Sequence, residues 1–233
     1  MFLDEMAATL HNSIFRYQDA LTYLRSREVT DEDIKKFRLG YGKVIRIPED
    51  PSPERARFMD EMWRGKKLEN RIAFPITDTM GRVVGLAGRS IDSKDFKTFA
   101  TEEAKYNGFF FGLSQALPYI YAENKVYIVE GYFDLIAFAK VFPNSVATIT
   151  SGMNEPQHDL LTTYCDDIML CFDDDVAGHD GRDKALKNWG SDKRKRIHSM
   201  SIGFKDPAKA LETMKLKEFT KFVLARARGA QAI

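Results

Sequence analysis

The sequence predicts an α/β protein in three parts. A mixed α+β subdomain comes first, then a Rossmann-like, mostly parallel sheet with flanking helices, then a short C-terminal helical segment. Three observations predict it. Helical periodicity runs through the first stretch of chain. A hairpin pattern follows between Arg71 and Ile91. Beyond Lys125, short apolar runs alternate with helical patterns of roughly ten residues, the signature of parallel β-α-β units. The expected boundaries are 1–113, 114–213 and 214–233.

Taken in order, Tyr17–Arg27 carries Ala20, Leu21 and Leu24 at helical spacing. Thr30 opens a second helix as N-cap, with Asp33 at its third position and Ile34 and Phe37 turned inward. Pro51 and Pro53 mark a break before a charged helical stretch around Glu54–Lys66. Two strands then meet at a turn over Asp78–Gly81, and Gly85 and Gly88 point to a bulge or a close backbone approach. The aromatic run Phe109–Phe111 ends at Gly112, the expected joint between subdomains. The strands of the parallel sheet are expected at Lys125–Val129, Val146–Ile149, Asp167–Cys171 and Lys195–Ser201, with helices at Tyr132–Val141, Glu155–Tyr164 and Val176–Trp189. A closing helix with a basic face is expected over Lys215–Arg228.

No apolar run approaches the roughly 20 residues that a bilayer-crossing helix needs, and the first residues do not read as a signal peptide. A protein of the cytoplasm is expected, with no membrane partner. Cys165 and Cys171 are too few for a disulfide framework or a four-cysteine zinc site, so buried free thiols are expected. Charge is distributed unevenly. Residues 113–181 hold 2 Lys/Arg against 11 Asp/Glu, whereas residues 182–233 hold 14 against 5. An acidic middle beside a basic tail suits a metal site facing a polyanion, although alternating solvated helix faces give the same statistic.

The chemistry is concentrated at strand ends. Glu130 follows the strand Lys125–Val129 directly, and Asp134 lies four residues on, where the next helix begins. Gly131 between them permits a tight strand-to-helix turn. Asp173, Asp174 and Asp175 follow the third strand, where alternation sends Asp173 and Asp175 to one side and Asp174 to the other. Asp206 follows the fourth. Acids crowded on one sheet edge repel unless a cation neutralises them, and hard oxygen ligands suit Mg²⁺ or Mn²⁺. Any one of these aspartates alone reads equally as a helix cap or turn residue.

Glu-Gly-Tyr-Phe-Asp at 130–134 with Phe-Asp-Asp-Asp-Val-Ala-Gly at 172–178 resembles the two signature motifs of the TOPRIM domain, in the form carried by DnaG-type DNA primases. The segments Arg71–Asp78 and Gly81–Arg89 are similar to the part of the primase core that precedes that domain, as are Tyr23–Arg27 and Phe37–Tyr41. The resemblance implies a nucleotidyltransferase that makes short RNA primers from ribonucleoside triphosphates on single-stranded DNA with Mg²⁺ or Mn²⁺. It implies catalytic roles for Glu130, Asp134, Asp173 and Asp175, and metal contacts for Glu130, Asp173, Asp175 and Asp206. It implies nucleotide or template contacts for Arg27, Arg71, Arg89, Lys97 and Lys105. Where the family has a second acid two residues after the first in its last motif, this chain has Ala208, so one metal ligand is lost or supplied by Asp174. The family's zinc-ribbon and helicase-binding modules have no counterpart here, which implies a replicative helicase or a zinc-binding module acting in trans, as for a shortened phage or mobile-element primase or a piece of a longer one. The alternatives are a metal-dependent TOPRIM nuclease and an inactive single-stranded DNA-binding module.

Overall fold

A computed structural model describes residues 2–43, 53, 68–93, 95–100, 108–148, 152–189 and 196–232. The chain divides into two units, Met1–Lys105 and Tyr106–Ile233. The division therefore falls ahead of the aromatic run, and residues 214–233 belong to the second unit rather than forming a segment of their own. The helix expected around Glu54–Lys66 lies outside the described residues.

The first unit opens with α1 (Phe2–Ile14), whose Leu3, Met6, Ala7, Leu10 and Ile14 recur at helical spacing and are buried. Helix α2 (Gln18–Ser26) buries the three expected residues Ala20, Leu21 and Leu24. Helix α3 (Asp31–Lys36) starts with a complete capping box. Thr30 accepts from the Asp33 N–H at 3.2 Å, and the Asp33 carboxylate accepts from the Thr30 N–H at 2.8 Å. An antiparallel sheet follows in the order β1 (Gly40–Gly42), β2 (Arg71–Thr77), β3 (Val83–Ser90) and β4 (Phe96–Ala100). β1 pairs only with residues 71–73 of β2, so Pro75, which lacks an N–H, lies beyond the reach of that neighbour. The β2–β3 turn is built on Asp78, whose Oδ1 accepts from the N–H groups of Met80 and Arg82, each at 2.9 Å. The register then shifts between Ile76 and Thr77, opposite Gly85 and Val83, a bulge where the glycine signal pointed.

The second unit runs α4 (Leu113–Glu123), β5 (Lys125–Val129), α5 (Tyr132–Phe138), β6 (Ser145–Ala147), α6 (Glu155–Thr162), β7 (Asp167–Leu170), α7 (Val176–Trp189), β8 (Arg196–Ser199), α8 (Pro207–Thr213), α9 (Leu216–Arg228) and β9 (Gln231–Ala232). Its sheet order is β6-β5-β7-β8-β9, parallel throughout except for β9. Val126 and Ile128 of β5, Ile168 and Leu170 of β7, and Ile197 of β8 share one core with Leu113, Ala116 and Ile120 of α4 and with Ala185 and Trp189 of α7. Near-continuous burial of β5 and β7 follows from helices covering both faces. Cys165 and Cys171 are buried free thiols, as expected.

Candidate active site

Strand order fixes where a ligand can sit. From β5 the chain passes through α5 to β6 on one side, and from β7 it passes through α7 to β8 on the other. The connections thus diverge between β5 and β7, the topological switch point at which open α/β sheets leave a crevice beyond the strand C-termini. Glu130 is the first residue past β5, and Asp173–Asp175 lie just past β7.

Hydrogen bonds hold these acids in place. Glu130 Oε1 accepts from the Asp173 N–H at 3.2 Å, tying the two strand ends together. Asp134, on the first turn of α5, folds back over Gly131, where a Cβ would lie 2.2 Å from Asp134 Oδ2. Gly131 has φ −104°, so it supplies room for that carboxylate rather than a left-handed turn. Asp134 Oδ1 accepts from the Ala208 N–H at 3.0 Å, which draws the start of α8 onto α5. Asp206 caps α8 and accepts from the Lys209 N–H at 2.6 Å. Asp175 Oδ1 accepts from the Gly178 N–H at 3.0 Å at the start of α7. A Cβ on Gly178 would lie 2.1 Å from the Asp173 carbonyl oxygen, so glycine is required for this approach.

The electrostatics show one cluster. Burial, then the charges of Asp134, Glu130, Asp206 and Asp175, push the Asp173 carboxyl up to about 8. Asp134 is raised to about 7 by burial first and by Asp206 next. Glu130 is raised by burial, against the opposing pull of the Asp173 N–H. Asp173 Oδ1 is buried and has no hydrogen-bond partner among the described residues. A buried acceptor left in this state is costly unless something outside the chain satisfies it.

Asp174 stands apart, as strand alternation requires. Its Oδ1 lies 2.8 Å from His179 Nε2, and its Oδ2 accepts from Ser201 Oγ at 3.2 Å. The His179 bond holds its carboxyl below the usual range. Its two oxygens are thus turned to His179 and Ser201. Ala208 is itself buried with its N–H on Asp134, and an acid side chain there would add another charge to the cluster.

The donor set of Glu130, Asp173, Asp175 and Asp206 is all oxygen and fits a hard divalent cation. As they stand, no three His, Cys, Asp or Glu side chains among the described residues form a complete ligand group. Mutual repulsion of uncompensated carboxylates opposes that convergence. Asp134 is buried, with Oδ1 on the Ala208 N–H.

The expected basic residues are distributed differently. Arg27 of the first unit lies over the Tyr23 ring, 5.6 Å from its centroid. Arg71 is only 9% exposed; it donates from Nη2 to Asp95 Oδ2 at 2.6 Å and from Nη1 to the Asp95 carbonyl at 3.0 Å. Arg71 pairs with Ser90 and Arg89 with Ile72, so alternation sends the two arginines to opposite faces of the sheet. A single surface of that sheet therefore does not present both. Lys97 lies in β4 opposite Gly88, and Lys105 lies outside the described residues. Sequence reasoning missed the Ala208 N–H, the demand for space at Gly178 and the Ser201–Asp174 bond, none of which has a local pattern.

A family model described as Toprim-like matches residues 127–211, the span that holds all five acids. Residues 127–211 are thus similar to a Toprim-like domain. The chain is 28% identical over 226 residues to the DNA primase of Campylobacter jejuni, which covers 88% of this chain and 37% of that protein. It is 32% identical over 215 residues to the DNA primase of Deinococcus radiodurans, covering 82% of this chain and 37% of that protein. The chain thus spans little more than a third of these relatives' length. Among solved structures, the catalytic core of DnaG superposes with a TM-score of 0.85 at 22% identity, covering 98% of this chain and 79% of that one. The DnaG primase catalytic domain bound to single-stranded DNA superposes with a TM-score of 0.82 at 22% identity, covering 98% and 80%. The Toprim-like match thus sits within a chain whose fold is like that of the DnaG catalytic core.

Proposed function

We propose that this chain is the catalytic core of a primase, joining ribonucleoside triphosphates into a short RNA on a single-stranded DNA template. The observation that carries this reading is the cluster of Glu130, Asp134, Asp173, Asp175 and Asp206 at the sheet's switch point, with a buried Asp173 oxygen left unpartnered. Kinship with bacterial DNA primases supports it. Asp173, Asp175 and Asp206, with Glu130, would hold Mg²⁺ or Mn²⁺. Such an ion, when bound, neutralises charge on the reacting α-phosphate and on the departing pyrophosphate. Glu130, fixed through Oε1 by the Asp173 N–H, is the residue we assign to the proton of the attacking 3′-hydroxyl. Asp134 holds α8 so that Asp206 reaches the rim.

Template contact by the structural neighbour bound to single-stranded DNA is the basis for naming that strand as partner. Arg27, Arg89 and Lys97, with Lys105, are the cations assigned to nucleotide or template, and Arg71 braces β2 against Asp95. A helicase or a zinc-binding module in trans would supply template choice. The site of action is the cytoplasm, in keeping with the absence, among the described residues, of any helix long and apolar enough to cross a membrane.

The test is extension of an RNA primer annealed to a DNA template, which bypasses start-site choice. Glu130→Gln and Asp173→Asn should each lower the rate by about 100-fold or more. Normal extension by both variants overturns the reading. Cleavage of plasmid with Mn²⁺, in the absence of any extension by wild type, converts it to a nuclease.

A further inference from the structure

A cavity of about 650 Å³ opens in the second unit. Arg182 and Leu186 of α7, Ser199 and Ser201 at the end of β8, and Ala225 and Arg226 of α9 line it. The size falls within the range of small-ligand pockets and exceeds what a lone phosphate fills. Two guanidinium groups, the Asp183 carboxylate beside Arg182, two hydroxyls and an aliphatic wall form one concave surface.

Arg226 is exposed near the end of α9 and is steadied there by an aromatic contact. Its guanidinium lies over the Phe222 ring at 5.2 Å, and Phe222 meets Phe204 edge-on at 5.5 Å. Between them Gly203 takes φ +66°, and a Cβ there would lie 3.0 Å from Arg226 Nη2. Gly203 thus leaves room for the Arg226 side chain, which has no carboxylate partner among the described residues. A guanidinium held in place and left un-neutralised is ready for a bidentate oxyanion. Arg182 gives its Nε to Asp183 Oδ1 at 2.9 Å, an ion pair that offsets part of its charge, so Arg226 is the principal cation of the cavity. Ser201 Oγ, in the cavity lining, donates to Asp174, the acid turned away from the cluster, at 3.2 Å.

We propose that this cavity is a second, metal-independent nucleotide subsite, in which Arg226 and Arg182 take the phosphate of a nucleotide, free or within a strand. That the ligand is a nucleotide rests on the polymerase reading above; the binding itself does not need the carboxylates. The test measures fluorescence anisotropy of two probes, labelled ATP and a labelled single-stranded DNA oligomer, in EDTA. Wild type and Glu130→Gln should bind equally, so a failed catalytic reading leaves this result untouched. Arg226→Gln and Arg182→Gln should each weaken binding about tenfold, with Arg226→Lys in between. Circular dichroism confirms that each variant is folded. Loss confined to ATP identifies a free nucleotide, and loss confined to the oligomer identifies a strand phosphate. Exposed Arg228 lies outside the cavity lining, and Arg228→Gln should change affinity by less than about threefold. Equal loss in Arg228→Gln, unchanged binding in both cavity variants, or no binding of either probe by wild type overturns the proposal.

Discussion

The antiparallel sheet of the first unit and the strand-end rim of the second treat carboxylates in opposite ways. In the first, Asp95 takes Arg71 at 2.6 Å, Asp78 takes Arg82 at 2.6 Å and Asp19 takes Lys43 at 2.7 Å. In the second, Glu130, Asp134, Asp173, Asp175 and Asp206 share one rim, and none has an ion-pair partner among the described residues. The sheets explain part of the contrast. An antiparallel hairpin brings sequence-near residues together, so a turn such as Asp78–Arg82 pairs locally. A parallel sheet instead gathers the ends of strands far apart in sequence at one edge, and here it gathers charges of one sign. Pairing makes the first sheet self-sufficient. The second reserves its charge for a cation from outside, at a cost to its own stability.

Three substitutions can break or sharpen that contrast. Gly178→Ala carries the largest expected effect, because the new methyl meets the Asp173 backbone at 2.1 Å. It should destabilise the second unit by about 3 kcal/mol and displace Asp173, read by chemical denaturation and by loss of extension. Arg71→Ala should cost the first unit about 2 kcal/mol in the same denaturation experiment, since it strips a charge-assisted bond from a buried cation. Asp173→Asn should go the other way. In EDTA at pH 8 it removes repulsion and raises the melting temperature by about 2–4 °C. If Asp173→Asn destabilises as Arg71→Ala does, the two units do not differ as described.

Much of this was legible in the sequence. Helix α7 spans the expected Val176–Trp189, β5 spans the expected Lys125–Val129, and Thr30 caps α3 as foreseen. These elements have strong local patterns: an unbroken apolar run, a long amphipathic stretch, a capping residue followed by an acid. Helix α5 stops at Phe138 rather than Val141, because Lys140 and Val141 close turns onto Ala137 and Phe138. Strand β1 escaped notice, being three residues with glycine at both ends, and β9 is a two-residue strand defined only by its pairing with β8. The acids were found because they follow strand ends. Their mutual geometry was not legible, since the bond from Ala208 to Asp134 joins residues 74 apart in the chain. Likewise, no local signal showed that Arg71 is consumed by Asp95.

The most direct measurement is the melting temperature of the second unit's transition across pH, with and without Mg²⁺. Asp173 and Asp134 hold their protons to about 8 and about 7 in the folded chain, against an ordinary 3.8. The folded state therefore binds more protons than the unfolded one between those values, and stability in EDTA should be full below about pH 4 and fall as pH rises towards 8. Millimolar Mg²⁺ at pH 8 should restore it, raising the melting temperature of wild type but not of Asp173→Asn. A pH-independent transition in EDTA, or an equal response of both proteins to Mg²⁺, would contradict the account.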